Sequence, residues 1–254
     1  MSLVITTYVP EGIVMASDSR QSIAIKSKTP DGKSLSKVDT VNSDNVYKTY
    51  LLSRLNKDGK PIFEVGVQSF GQDLLGGISM TSHIKRFSEE RLTDEDDVTT
   101  IPEKLVEFFR ELFPTANTGF HVAGYKKEDK VSIPYVYYCH IAKNIVERKN
   151  LKPDGKLAYG ATWSGQIDVL TGILQPSMLP GPEGKPITMG KPPIVWDAMP
   201  LQDAIDFSIF AIRTTIDAIR FQARPKNVGG LIDVLVVTPD GAKWIQRKEL
   251  KGEK

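Results

Sequence analysis

The first thirty residues alternate short apolar runs with turn residues, a pattern typical of β-hairpins. Residues 3–9 are rich in β-branched side chains, Pro10-Glu11-Gly12 is a turn signal, and apolar side chains resume at 13–16. This pattern predicts a hairpin close to the N-terminus. The same criteria predict further strands at 46–52, 62–67, 119–125, 131–141, 231–237 and 242–246.

Other segments carry apolar residues at helical intervals. Helices are predicted from Gly71 to about Arg91, and then at 102–112, 165–174 and 200–219. The helix that starts at Pro200 has the most regular apolar face, formed by Leu201, Ala204, Ile205, Ser208, Ile212, Ile216 and Ile219.

Two segments have neither period. Residues 26–44 are polar, with a turn signal at 30–33, and predict an exposed excursion. Residues 176–193 are rich in Pro and Gly and predict a loop.

The order of elements predicts the fold class. Strands, two helices, strands, two helices and strands follow one another along the chain. This order suits an α/β protein in which two antiparallel sheets stack face to face and each is covered by a helix pair, a four-layer αββα sandwich. We expect a single domain over 1–254, with a polar insertion at about 26–44 and a loop at about 176–193.

Composition and charge narrow the classes of function. The 254 residues carry 33 Lys+Arg and 31 Asp+Glu, a formal charge of +2 spread along the chain, so nucleic acid is not an expected partner. Apolar runs of about seven to nine residues are too short for a membrane helix, which needs roughly twenty. The N-terminus lacks the pattern of a secretory signal, and we expect a cytoplasmic protein.

Cysteine and histidine indicate no special chemistry. The single cysteine, Cys139, has no partner for an internal disulfide and is predicted to fill the core. His83, His121 and His140 share no metal-like spacing, so no metal site is predicted. The last eight residues, 247–254, are predicted to form a charged tail.

Three stretches resemble a known family. Residues 12–20, Gly-Ile-Val-Met-Ala-Ser-Asp-Ser-Arg, resemble the DGVVLAADSR signature of proteasome β-type subunits, which are N-terminal-nucleophile (Ntn) hydrolases. Residues 228–237 with 240–244 resemble the closing hairpin of that family, and 44–49 resemble the strand that bears its buried lysine. The resemblance spans nearly the whole chain and implies the Ntn hydrolase fold. The Met-nucleophile start most resembles the bacterial proteasome-like types.

The chemistry of such a site requires the nucleophile to be the first residue of the mature chain. A hydroxyl needs a base, and an α-amine with a pKa near ~7.7–8.0 on the same residue is suitable. Family members place the nucleophile sixteen positions before the signature aspartate, which is the spacing from Ser2 to Asp18, whereas Thr6 and Thr7 lie too close. Removal of Met1 would expose Ser2, and no propeptide is expected. The alternative is that Ser2 is an ordinary residue left by methionine excision.

The resemblance implies that Asp18 pairs with a buried lysine and that Arg20 braces the cluster. The alternative for both is a polar turn with a surface ion pair, worth at most about 1 kcal/mol. Lys48 interrupts an apolar strand and shares a face with Tyr50, so either it is buried or the strand lies at an edge, where a solvated lysine is common. Lys48 also lies some fourteen residues later than the family's lysine. Three other lysines stay open as candidates for the role: Lys26, Lys33 and Lys37.

Other parts of the family's site match less well. The oxyanion donor, a backbone N–H, falls within 67–73, where Ser69 takes the place of a glycine. The family's accessory serine aligns with Ala161 in strict register and with Ser164 in a looser one. An aspartate and a serine common in the family near 225–228 are missing.

The resemblance also suggests how substrate binds. A peptide along the strand edge would hydrogen-bond to the main chain of Gln21, Ser22 and Ser69. The first specificity pocket would then be lined by Val46, Tyr50 and Val67, which predicts a preference for apolar or aromatic residues before the cleaved bond.

Three functions stay open. The first is a peptidase that acts on peptide or unfolded-protein substrates with Ser2 and assembles into a ring. It needs no cofactor, and whether an ATPase unfoldase is a partner stays open. The second is a non-catalytic ring or scaffold protein of the same fold, and the third is a small-molecule amidase. A freed α-amine is required only for catalysis.

Overall fold

The computed structural model describes residues 2–28, 34–175, 177–181 and 185–249. Within these residues the helices are α1 (Met80–Arg91), α2 (Ile101–Leu112), α3 (Asp168–Leu174) and α4 (Leu201–Arg220). The strands are β1 (Leu3–Val9), β2 (Gly12–Ser17), β3 (Gln21–Lys28), β4 (Ser34–Ser43), β5 (Thr49–Leu55), β6 (Pro61–Gly71), β7 (Leu74–Leu75), β8 (Ile78–Ser79), β9 (Thr118–Glu128), β10 (Val131–His140), β11 (Ile145–Arg148), β12 (Gly160–Gly165), β13 (Ser177–Pro180), β14 (Pro186–Met189), β15 (Asp233–Thr238) and β16 (Gly241–Gln246).

The described strands form two five-stranded antiparallel sheets and three small hairpins. The order in the first sheet is β12-β1-β2-β15-β16, and in the second sheet it is β11-β10-β9-β6-β5. The hairpins pair β3 with β4, β7 with β8, and β13 with β14. The chain that leads into β5, at the edge of the second sheet, lies beside the β2–β3 connection, where Val46 N donates to Ser19 O at 3.0 Å.

Three apolar clusters fill the spaces between the four layers of the fold. One joins the second sheet to α1 and α2, a second lies between the sheets around Tyr8, Met15 and Leu235, and a third joins the first sheet to α3 and α4. The predicted αββα sandwich of antiparallel sheets is therefore confirmed.

The alternation of side chains in β1 shows how the core positions the site. All of its residues are buried. Leu3 and Ile5 pack toward the helices, whereas Thr6 and Tyr8 face the other sheet. A slip of one residue would exchange these faces, so burial fixes the register of the N-terminus.

Several predicted boundaries were wrong. The helix predicted from Gly71 begins only at Met80, because Gly76 and Gly77 take positive φ and turn the chain between β7 and β8. The strand predicted over 46–52 begins at Thr49. The strands β11 and β12 were not predicted.

The two segments predicted as irregular contain paired strands. Part of the polar excursion at 26–44 belongs to the β3–β4 hairpin, and its predicted turn at 30–33 lies outside the described residues. The Pro/Gly-rich loop at 176–193 holds the β13–β14 hairpin. Both are two-stranded ladders outside the main sheets, where apolar periodicity is weak. In the described part of the chain, no helix is long and apolar enough to cross a membrane.

Candidate functional site

Ser2 lies at the end of the first sheet, directly before β1. It is 1% exposed, and its Oγ has no hydrogen-bond partner among the described residues. Its carbonyl accepts a hydrogen bond from Gln166 N at 2.8 Å. Gly165 lies against this carbonyl: it has φ +102°, and a Cβ there would be 1.8 Å from Ser2 O. The chain after β12 therefore packs against Ser2 only because residue 165 is glycine.

Asp18 follows β2 and accepts four hydrogen bonds although it is fully buried. Oδ1 accepts from Leu3 N at 2.9 Å and from Lys48 Nζ at 2.8 Å, and Oδ2 accepts from Arg20 N and Gly229 N, each at 3.1 Å. Four donors offset the cost of removing this carboxylate from water. The peptide between Ser2 and Leu3 and the Lys48 ammonium thus share one carboxylate oxygen.

Lys48 is also fully buried, directly before the edge strand β5. Its Nζ donates to Asp18 Oδ1 and to Arg20 O at 2.6 Å. The alternative of a solvated edge lysine is therefore wrong for Lys48. Of the other lysines considered for the role, Lys26 and Lys37 oppose each other in the β3–β4 hairpin, and Lys33 lies outside the described residues.

Arg20 bonds to Asp18 and Lys48 through its backbone, and its guanidinium holds the segments around them. Its guanidinium forms a two-pronged ion pair with Asp44, with Nε–Oδ1 at 2.6 Å and Nη2–Oδ2 at 2.7 Å, and donates to Lys226 O at 3.1 Å. These hydrogen bonds hold the pKa of Asp44 below its ordinary value. A Cβ at Gly229 would lie 2.4 Å from the guanidinium carbon. Arg20 therefore holds the 226–229 segment where Gly229 N reaches Asp18.

Ser164 belongs to a buried hydrogen-bond network rather than to the Asp18–Lys48 pair. Its Oγ lies 2.9 Å from His121 Nε2, and His121 Nδ1 lies 3.1 Å from Thr6 Oγ1. Ala161, the other candidate for the accessory serine position, packs toward α3 and α4 on the opposite face of β12. Ser164, the candidate from the looser alignment, is therefore the one whose side chain faces the space between the sheets.

The network continues from Thr6 to the neighbours of the ion pair. Thr6 Oγ1 donates to Gln68 Oε1 at 2.9 Å. Gln68 Nε2 in turn donates to Ala16 O at 2.8 Å and to Thr49 Oγ1 at 3.2 Å. Thr49 Oγ1 then donates to Ser17 Oγ at 2.7 Å. Ser17 precedes Asp18 in the chain, and Thr49 follows Lys48.

The direction of every bond in this network follows from one carbonyl. A carbonyl oxygen only accepts, so the Gln68 atom beside Ala16 O must be the amide nitrogen, Nε2. Gln68 Oε1 then accepts from Thr6 Oγ1. Because the one hydroxyl hydrogen of Thr6 is used in that bond, Thr6 Oγ1 accepts from His121 Nδ1–H. Ser164 consequently donates to the unprotonated Nε2. Burial lowers the pKa of His121 to about 3, which agrees with a neutral ring. Of this network only Ser164 had been predicted as a site residue, because isolated Thr, Gln and His residues in strands carry no motif.

A second buried ion pair lies beside the first. Lys248 Nζ bonds to Asp233 Oδ2 and donates to Ser19 Oγ at 3.0 Å, and it lies 4.2 Å from the Tyr47 ring centre. Burial lowers the pKa of Lys248. The prediction of a charged tail over 247–254 was therefore wrong at Lys248. The sequence signal that was missed is Asp233, an acidic residue at the start of a buried strand.

The predicted substrate residues lie in two environments. Gln21 and Ser22 lie on β3 beside a cavity of about 440 Å³, here called the β3 groove, whose other wall includes Gly71, Gln72 and Asp73. Ser22 Oγ has no hydrogen-bond partner among the described residues. The far edge of β3 pairs with no described strand.

The predicted pocket residues are more enclosed. Val67 and Tyr50 belong to the core between the second sheet and α1 and α2, and the Tyr50 hydroxyl donates to Tyr47 O at 2.6 Å. Val46 is half-buried. Ser69 is buried with its Oγ unpartnered, and its N–H donates to Lys48 O at 2.8 Å, so this amide is already used. Val67 has no exposed surface for a substrate in this conformation.

The described histidine and cysteine side chains have structural surroundings. No three His, Cys, Asp or Glu residues in the described ranges come together as metal ligands. His83 Nε2 bonds to Leu75 O at 3.0 Å, and Cys139 is fully buried.

Comparison with known proteins places the fold but not the family. No family model matches the sequence, and no curated protein matches it. Among solved structures, the Anbu (Gly-1) mutant from Hyphomicrobium sp. strain MC1 has a TM-score of 0.61 and 14% identity, covering 98% of this chain and 86% of that one. Anbu (ancestral beta-subunit) from Yersinia bercovieri has a TM-score of 0.57 and 13% identity, covering 97% and 88%. The chain has the proteasome-like fold of these Anbu proteins.

Proposed function

We propose that the protein is an N-terminal-nucleophile amide hydrolase that cleaves peptide bonds with Ser2 after removal of Met1. The observation that carries the proposal is the environment of Ser2. Its Oγ is buried without a partner, and the peptide that follows it shares a carboxylate oxygen of Asp18 with the Lys48 ammonium.

The reaction divides into two steps. In the first, the free α-amine of Ser2 takes the Oγ proton while Oγ adds to the substrate carbonyl carbon; the same proton then passes to the leaving nitrogen, and an ester of Ser2 remains. In the second, the amine takes a proton from water, the resulting hydroxide attacks the ester, and Oγ recovers the proton. The Lys48 ammonium lowers the proton affinity of the nearby amine and hydroxyl, and Asp18 and Arg20 O hold it in place.

The oxyanion donor follows from the backbone of β6. Because N–H groups alternate sides along a strand, the next amide on the side of Ser69 N belongs to Gly71. The pairing of β5 with β6 ends at Thr49 and Gln68, and Ser69 N is bonded to Lys48 O. No residue of β5 therefore lies opposite Gly71 to accept a hydrogen bond from its N–H. We assign the oxyanion role to Gly71 N rather than to Ser69 N.

Self-association is part of the proposal. The Yersinia protein of the same fold is described as an ancestral beta-subunit, and a subunit belongs to an assembly. The present chain exposes large apolar side chains on and beside α4, with Phe210 48% and Phe221 82% exposed. Burial of such residues between subunits would stabilise a ring.

A scaffold role without catalysis is the second candidate. It is favoured by the segment 225–228, which contributes Lys226 O to Arg20 and offers neither the aspartate nor the serine found there in active relatives. A small-molecule amidase is less well supported, because β3 has one edge that pairs with no described strand, as an extended peptide requires.

Intact-mass measurement and active-site labelling test the proposal. We expect loss of Met1 and, with an acylating β-lactone, a mass gain of one lactone on Ser2 that is absent in Ser2→Ala. Hydrolysis of unfolded casein peptides should vanish in Ser2→Ala, while the assembly size by mass photometry stays the same. Retention of Met1, or equal labelling of the Ser2→Ala protein, would leave the scaffold function.

A further inference from the structure

Asp73 carries a carboxylate that none of the described residues pairs with. The residue lies between β6 and β7, and its backbone carbonyl accepts a hydrogen bond from Met80 N at 2.8 Å. Its side chain is half-buried in a wall of the β3 groove. Among the described residues, none donates a hydrogen bond to this carboxylate or forms an ion pair with it. Asp73 was not singled out in the sequence.

The Lys48 ammonium acts on Asp73 but is hydrogen-bonded to other groups. Lys48 bonds directly to Asp18 and Arg20 O, so it acts on Asp73 only through space. Burial raises the pKa of Asp73, against the opposing effect of Lys48. A partly desolvated carboxylate without a hydrogen-bonded cation is unfavourable, and a ligand that supplies the cation would remove this cost.

The rest of the β3 groove is neutral. Asp73 is the only charged residue among the described residues that line it, and Gln21, Ser22 and Gln72 supply polar groups. The cavity of about 440 Å³ has room for a long side chain. An extended peptide paired with the free edge of β3 would direct alternate side chains toward 71–73.

We propose that the β3 groove binds a peptide side chain with a positive charge, and that Asp73 selects it. This inference rests on the proposed hydrolase function, since it names the substrate class of that site. It replaces the apolar preference predicted from the sequence, because Tyr50 and Val67, two of the residues expected to line an apolar pocket, are packed into the core. The preferred substrates are peptides with a lysine or arginine near the cleaved bond.

A peptide series with one variable position tests the proposal. In each peptide one residue, from the first to the third before the cleaved bond, is either lysine or norleucine, which has nearly the same shape without the charge. We expect kcat/KM to be at least tenfold higher for lysine at one of these positions. The ratio should fall to about one in Asp73→Asn and be partly restored in Asp73→Glu, which keeps the charge.

Two further measurements separate the possible failures. Asp217→Asn removes an exposed carboxylate from α4, a helix that contributes no residue to the β3 groove, and should leave the ratio unchanged. Binding of the same peptides to Ser2→Ala protein, followed by fluorescence anisotropy, should show the same tenfold preference without any hydrolysis. Equal affinities there, or a lysine preference that survives in Asp73→Asn, would overturn the inference. Preferential binding without hydrolysis by the wild-type protein would instead count against the proposed function.

Discussion

Lys48 Nζ and Asp18 Oδ1 lie 2.8 Å apart, and neither side chain has any exposed surface. The aspartate directly follows a strand of the first sheet, and the lysine directly precedes the edge strand of the second. The ion pair therefore joins the two sheets at the end where the N-terminus lies. A displacement of one sheet relative to the other would separate the pair and move Ser2 with the first sheet.

The cost of breaking this pair is the first prediction. Lys48→Met leaves Asp18 charged and buried with its three N–H donors only, which should lower the free energy of unfolding by about 3–5 kcal/mol. The double variant Lys48→Met/Asp18→Asn removes both charges and should be more stable than Lys48→Met alone. Urea unfolding of the four proteins in the cycle measures the coupling.

Hydrolysis should be lost in every protein of this cycle except the wild type, because the ammonium is needed beside the amine of Ser2. A double variant that is less stable than Lys48→Met by more than about 1 kcal/mol would contradict this prediction. The hydrogen bonds that Asp18 accepts from backbone N–H groups, and not its pairing with Lys48, would then offset the cost of burying the carboxylate.

The buried neutral state of His121 predicts how stability depends on pH. Its pKa is about 3 in the folded protein and near 6.5 in the unfolded chain, so between these values only the unfolded state binds the proton. Stability is fully present above pH 6.5 and is lost as the pH falls toward 3. Between pH 7 and 4.5 the loss due to this residue should be about 2.5 kcal/mol.

Comparison with His121→Gln isolates this effect. Glutamine keeps a donor and an acceptor but does not titrate, so the variant should be less stable at pH 7 and lose less stability on acidification. Urea midpoints at pH 7, 5.5 and 4.5 give both slopes. Equal slopes for the two proteins would mean that His121 takes up a proton in the folded state.

The charged part of the site was predictable because its residues sit at motif positions. Asp18 and Arg20 follow a strand in a recognisable order, and Ser2 is placed by its distance from Asp18. Asp44 and Lys248 were missed for a physical reason. Their partners, Arg20 and Asp233, are 24 and 15 residues away in the chain, and only the folded topology brings them together.

The sequence predicted the fold correctly where both faces of an element are buried. The prediction failed at the small two-stranded hairpins. The αββα order followed from long apolar runs and from the stripe of α4. Hairpins such as β7–β8 are two residues long on each side and depend on backbone pairing across Gly76 and Gly77, which leaves no apolar period to detect. The β3 groove is formed beside one of these hairpins.

Truncation of the C-terminus tests the second ion pair. A chain that ends at Glu249 keeps Lys248 and should unfold at the wild-type temperature. A chain that ends at Gln246 loses the Lys248 ammonium and leaves the buried Asp233 carboxylate without its cation. It should be less stable by about 3–5 kcal/mol. If calorimetry finds both truncated proteins equally stable, the contacts of Lys248 contribute nothing to folding.

A methyl group added at Gly165 tests whether the chain after β12 positions Ser2. In Gly165→Ala the new Cβ would lie 1.8 Å from Ser2 O, at φ +102°, so the backbone of Ser2 or of the chain after β12 must leave its present position. We expect a loss of about 3 kcal/mol in stability and of most of the hydrolytic activity. Gly172→Ala is the matched control, because nothing lies within 4 Å of its added Cβ and the position is helical. It should be neutral or stabilising by up to about 1 kcal/mol and fully active. A Gly165→Ala protein with wild-type melting temperature and activity would show that the hydrogen bonds between Leu3 and Asp18 are enough to position Ser2. The chain after β12 would then only cover Ser2.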